Sequence, residues 1–286
     1  MTTLIITSAR DLLARYPVLF CDVWGVLHDG MHEYSAAGDA LERYRAAGGI
    51  VILVSNAPTP AASVARVLDE KQVRRSAWDA IVSSGDVTRQ HLSTRGFSAI
   101  HHIGPDRSLP LFEGLAACLV DFDAADAIVC TGLVHDMVET GESYRPLLER
   151  ARARRLPFVC ANPDLVVEVG GRLLPCAGAV GVVYEDLGGE VYWAGKPHPP
   201  AYELAFAIAA QIAGRPIAAR EILAIGDAAA TDLAGAARAG IDALFIAGGI
   251  HRAQVMPGDR IDARLLAALF AARHVPAVAA APMLAW

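Results

Sequence analysis

The chain has 286 residues, of which 25 are Lys or Arg and 31 are Asp or Glu, giving a net charge of −6; 54% are apolar and 20% charged. That length implies about two domains of roughly 150 residues each, and the apolar share supplies a sizeable core, which excludes a disordered chain. The acidic balance argues against a nucleic-acid partner, and a membrane partner is not expected because no run of about 20 apolar residues is unbroken. The longest uncharged stretch, 46–65, is interrupted by Ser55, Asn56, Pro58 and Pro60. From Met1 to Asp11 only Leu4, Ile5 and Ile6 precede a charge, so no leader core is expected. Cys21, Cys118, Cys130, Cys160 and Cys176 contain no C-x-x-C and no histidine partner at finger spacing. They read as reduced, mostly buried thiols of a cytoplasmic protein.

In chain order, residues 18–23 (VLFCDV) are nearly all apolar, as in a central strand buried on both faces. A helix is expected over 36–47, stopped by Gly48 and Gly49, and then a second buried strand over 50–54 that runs into Ser55-Asn56. A middle region has strand patterns at 99–103, 127–131 and 157–161 and a helix near 144–155. The last turn of that helix carries Arg150, Arg152, Arg154 and Arg155. They read first as a solvated turn favoured by the helix dipole, with an anion site as the other reading. Further along come strands at 191–194, 222–225 and 242–247 and helices at 200–213, 231–239 and 263–273. Strands alternating with helices give an α/β fold with a parallel sheet. The expected domains are a Rossmann-like core of residues 1–82 and 186–286 and an inserted α/β domain of residues 83–185.

Four expected strands end in chemically active residues: Asp22, then Ser55-Asn56, then Lys196 within Gly195-Lys196-Pro197, then Gly226-Asp227 followed by Asp232. In an open parallel sheet, ligands bind outside the carboxyl ends of the strands. Two aspartates meeting there would repel unless a hard cation such as Mg²⁺ lay between them. A lysine and a serine hydroxyl beside them suit a phosphate group, with one carboxylate left to attack it. Taken singly, each feature is as well explained by a turn, a cap or a surface charge; the weight lies in their conjunction. No dinucleotide, P-loop, zincin or serine-hydrolase signature occurs.

Asp22-Val23-Trp24-Gly25-Val26-Leu27, Leu53-Val54-Ser55-Asn56, Gly195-Lys196-Pro197 and Gly226 through Asp232 resemble, in order, the four motifs of the haloacid dehalogenase (HAD) superfamily. Cys160-Ala161-Asn162-Pro163-Asp164 and Gly240-Ile241 are similar to its class IIA branch of sugar-phosphatase and nitrophenylphosphatase-like enzymes. The resemblance implies a Mg²⁺-dependent phosphohydrolase acting on a small phosphorylated metabolite through an aspartyl-phosphate at Asp22. The ion would be held by Asp22, the Trp24 carbonyl and Asp227, with Asp232 in support. Ser55 and Lys196 would hold the phosphoryl oxygens. The inserted domain would be a cap that selects substrate, with Asn56, Asn162 and Asp164 as candidate contacts, and caps of this kind often mediate a homodimer.

One position departs from that pattern. The family's phosphatases carry a second Asp two residues after the nucleophile, as general acid and base, and here Trp24 stands in its place. Proton transfer of this kind contributes about 10²–10⁴ in rate. Three readings follow. His28, with Asp29, His32 and Glu33 nearby, replaces the missing acid; or the substrate has a leaving group that needs none; or the protein is a near-inactive binder of phosphometabolites. Phosphonatase chemistry, which uses a Schiff-base lysine, is disfavoured because Lys71 and Lys196 are the only lysines.

Overall fold

The computed structural model describes residues 3–286; Met1 and Thr2, at the start of the stretch read for a leader, lie outside the described residues. Fourteen strands are described: β1 (Leu4–Ile5), β2 (Val18–Cys21), β3 (Ile50–Ser55), β4 (Ala80–Ser83), β5 (Ala99–Ile103), β6 (Cys118–Leu119), β7 (Ala127–Cys130), β8 (Phe158–Cys160), β9 (Val166–Val169), β10 (Arg172–Pro175), β11 (Val191–Trp193), β12 (Ile222–Gly226), β13 (Asp242–Ile246) and β14 (Ala279–Ala281). The chain divides into two compact units. One runs to Ser55 and resumes over Ala65–Val82 and Tyr202–Trp286; the other comprises Asn56–Val64 and Ser83–Ala201. The expected insertion spans 83–185.

The first unit holds a seven-stranded sheet in the order β1-β14-β13-β12-β2-β3-β4. β12 pairs in parallel with both β2 and β13, and β2 with β3. Every residue of β2 and β12 is buried, which is why their sequences run apolar without alternation. The helix Ser35–Ala46 turns Ala37, Ala40, Leu41 and Tyr44 inward, the one-sided spacing of an amphipathic helix. This is the Rossmann-like α/β core expected from the sequence.

The second unit has its own parallel sheet, β11-β8-β7-β5-β6, and a separate antiparallel hairpin of β9 and β10. Alternate residues supply two cores, with Ile128, Cys130 and Phe158 in one cluster and Ile100, Val129 and Val159 in the other. Here the structure corrects one expectation. The 191–194 strand does not join the sheet of β2 and β12; as β11 it lies at the edge of the second sheet, with Val191 opposite Phe158 and Trp193 opposite Cys160. A three-residue strand whose residues are all half-buried has too little pattern to specify its sheet. All five cysteines are free thiols. Among the described residues, no helix is long and apolar enough to cross a membrane.

Candidate active site

The register of β2 against β12 builds the acidic site. Cys21 pairs with Ile225, so Asp22 and Asp227 leave neighbouring strands at the same end of the sheet. The Asp22 backbone N–H continues the ladder to the Ile225 carbonyl at 2.8 Å. Its half-buried carboxylate is oriented by the Val23 N–H, which donates to Oδ1 at 2.7 Å. Asp232 arrives by a wide turn over Ala229–Leu233, in which the Leu233 N–H reaches back five residues to the Ala228 carbonyl at 3.3 Å. Such single wide turns recur at functional sites because they re-aim side chains within a helix. The Ala228 N–H donates to Asp232 Oδ2 at 3.0 Å.

Carboxylate oxygens of Asp22, Asp227 and Asp232 all lie within 4.8 Å of one another, with Asp227 and Asp232 buried. Three hard anionic donors at that spacing suit a divalent cation with a preference for oxygen, of which Mg²⁺ is the commonest partner of phosphate chemistry. Two glycines close around Asp227. A Cβ at Gly25, where φ is +81°, or at Gly249 would overlap its carboxylate, and a Cβ at Gly226 would overlap that of Asp232. The backbone therefore packs directly against the acids, and the Ile250 N–H donates to Asp227 Oδ2 at 2.7 Å. Gly249 and Ile250 were not identified from sequence; the available signal was a Gly248-Gly249 pair immediately after a buried strand. Gly249→Ala is expected to lower affinity for a divalent cation by about 10–100-fold, the usual effect of disturbing groups that orient metal ligands, as read by calorimetric titration.

Trp24 sits on a loop that folds back on itself. The Gly25 N–H donates to the His28 carbonyl at 2.8 Å and the Tyr34 N–H to the Leu27 carbonyl at 2.7 Å. The Trp24 ring meets the His28 ring edge-on, centroids 5.0 Å apart, and covers Gly30 so closely that a Cβ there would overlap the indole. His28 is only 2% exposed, and its Nδ1 accepts the Gly30 N–H at 3.0 Å. Burial, with a smaller push from Lys71, lowers its pKa to about 4, against a minor opposing effect of Asp29. The ring thus packs against Trp24, closes the turn at Gly30, and is held toward its neutral form. Asp29 forms a turn, accepting the Met31 and His32 N–H groups at 2.8 and 2.6 Å. Partial burial raises the Asp29 pKa, but those bonds outweigh it and the net direction is down, away from an acid active near neutrality.

Ser55 ends β3 in the first unit and is buried. Asn56, Asn162, Asp164 and Lys196 belong to the second unit, where the structure brings them together. The Asn56 amide brackets the Lys196 peptide, accepting its N–H at 2.7 Å and donating to its carbonyl at 3.0 Å. The same amide donates to Asp164 Oδ1 at 2.9 Å, and the Asp164 N–H donates to Asn162 Oδ1 at 3.1 Å. Asn56 thus fixes the backbone of the buried Lys196, and Asp164 and Asn162 brace Asn56.

Two family models match the chain, one for haloacid dehalogenase-like hydrolases over residues 19–116 and one for HAD-hydrolase-like proteins over residues 193–270. A solved hydrolase of the haloacid dehalogenase-like family from Brucella suis 1330 is 42% identical, covers 98% of this chain and 100% of its own, and superposes with a TM-score of 0.87. The chain belongs to the haloacid dehalogenase-like hydrolase family. Two more distant structures share the fold. One is described as a possible sugar phosphatase of the HAD superfamily from Cytophaga hutchinsonii (19% identity, 98% of each chain, TM-score 0.77). The other is the p-nitrophenyl phosphatase from Archaeoglobus fulgidus (17% identity, 94% of this chain and 96% of that one, TM-score 0.71). A comparison with curated proteins finds no match.

Proposed function

We propose that this hydrolase is a Mg²⁺-dependent phosphatase of a small, sugar-phosphate-like metabolite, working through an aspartyl-phosphate at Asp22. The observation that carries the reading is the convergence of Asp22, Asp227 and Asp232 within 4.8 Å at the ends of adjacent strands. Asp22, the Trp24 carbonyl and Asp227 would hold the ion, with Asp232 in support. Bound there, the ion neutralises charge on the phosphoryl group and fixes its orientation. One Asp22 oxygen attacks phosphorus, the bond to the leaving oxygen breaks, and that oxygen takes its proton from solvent. Water then attacks the same phosphorus, releasing inorganic phosphate and the Asp22 carboxylate. Ser55 and Lys196 keep the phosphate-holding roles implied by their motifs. Asn56, Asn162 and Asp164 act by positioning Lys196. The names of the two distant relatives support a phosphate ester as substrate, and five free thiols fit the reducing cytoplasm.

The test is hydrolysis of nitrophenyl phosphate with and without Mg²⁺. Turnover that requires the ion, and falls to background in EDTA, is the expected result; equal rates in EDTA would end the reading. A second reading, a near-inactive binder of phosphometabolites, is favoured by Trp24 together with the neutral, buried His28. It predicts saturable binding of a phosphorylated metabolite without release of phosphate.

A further inference from the structure

The second unit contains a cavity of about 620 Å³ away from Asn56, Asn162, Asp164 and Lys196. It opens at the amino-terminal ends of β8 and β11, where Pro157, Phe158 and Val191 line it, whereas Asn162 follows the carboxyl end of β8. Its walls come from elements on both faces of the sheet. The helix Ser84–Arg95 contributes His91 and Arg95, and the end of the helix Arg145–Arg154 contributes Arg152 and Arg155.

Helix dipoles explain why a cation suits either helix end singly. All three arginines are exposed and, among the described residues, form neither the ion pairs nor the carbonyl hydrogen bonds of neighbouring arginines. In the same unit Arg107 pairs with Asp136, Arg145 with Glu142 and Arg150 with Asp123. Arg154 donates to the Phe122 and Ala125 carbonyls, and Arg89 to those of Leu111 and Glu113. Among the described residues, Arg95, Arg152 and Arg155 make no ion pair, although Glu190 lines the same cavity. Arg152 lies across Gly188, its Nε 3.6 Å from where a Cβ would stand.

The cavity also has an aromatic wall. The rings of His91 and Tyr192 stack at 3.5 Å with planes 13° apart, and Phe97 lies against His91 at 6.3 Å. Three guanidinium groups beside stacked rings combine recognition of a phosphate with recognition of a flat π-system. We propose that this cavity is a second ligand site, for a small molecule that joins a planar aromatic group to a phosphate, as a mononucleotide does.

None of the residues that line this cavity has a role in the proposed reaction, so its test does not depend on that reaction. Adenosine 5′-monophosphate is titrated calorimetrically into the full chain in EDTA, alongside adenosine alone and inorganic phosphate alone. The expected result is saturable binding of the nucleotide, tighter than either fragment, weakened about tenfold or more in Arg95→Ser/Arg152→Ser through loss of charge-assisted hydrogen bonds. Arg145→Ser, on the same helix but paired with Glu142, should bind like the wild type, and nitrophenyl phosphate turnover with Mg²⁺ should stay within about twofold in all three proteins. Absence of saturable binding, unchanged affinity in the double variant, or a single fragment binding as tightly as the nucleotide would each overturn the proposal. If the double variant melts early, Tyr192→Leu, which removes the stack and leaves the arginines, must weaken the nucleotide and not inorganic phosphate; equal affinities there would also overturn it.

Discussion

Asp22→Asn is expected to lower nitrophenyl phosphate turnover by about 10⁴-fold or more, the scale of losing a covalent nucleophile. The amide keeps an oxygen to accept the Val23 N–H, so the local fold should survive. On the proposed mechanism, what disappears is the charge that attacks phosphorus, together with one anionic donor to the ion. Two readouts separate these effects. Wild-type protein should melt at higher temperature as Mg²⁺ is added, by about 2.7 kcal/mol of added stability when the ion is at a hundred times its dissociation constant. The variant should lose most of that shift. Retention of activity would place the nucleophile elsewhere, and loss of activity with an unchanged Mg²⁺ response would mean that Asp22 does not bind the ion.

Trp24→Asp is expected to raise turnover by about 10²–10⁴-fold, because it restores a group able to protonate the leaving oxygen and then activate water. Of the nearby candidates, His28 is held toward its neutral form with Nδ1 occupied, and the Asp29 carboxyl is held below its ordinary range. On nitrophenyl phosphate, whose leaving group needs no proton, the gain comes from activating water on the phosphoenzyme; on an alkyl phosphate, protonation of the leaving oxygen adds to it. That added part should fade toward alkaline pH, where the new carboxyl is no longer protonated. The substitution also strips the ring from Gly30 and His28, at a cost of about 1–3 kcal/mol seen as earlier thermal unfolding. A folded variant with no gain on an alkyl phosphate would show that proton transfer does not limit the wild-type enzyme.

The parts of this molecule that were legible in its sequence are those under strong local constraint. β2 and β12 are buried on both faces, so their apolar runs mark them, and the polar residues that break those runs mark the site. The acidic cluster follows from that pattern because parallel neighbours in register must end together. Elsewhere the determinants are tertiary. β14 is three alanines with low strand propensity, and it exists because β1 and β13 pair with it on either side. β11 is too short to name its sheet. The hairpin of β9 and β10 carries a local signal, Gly170-Gly171 between two strand-forming runs. His28 is adjacent to a motif, but its burial beside Trp24 and its bond to the Gly30 N–H depend on how the loop folds back. Gly249 lies 22 residues beyond Asp227 and touches it only through the fold.

The proposed reaction phosphorylates Asp22. With Trp24 unable to activate water, the phosphoenzyme should break down slowly and accumulate during turnover. Mass spectrometry of protein quenched in acid with Mg²⁺ and nitrophenyl phosphate present should place one phosphoryl group on the peptide containing Asp22. Steady turnover with that peptide unmodified, or with the phosphoryl group on another residue, would contradict the account.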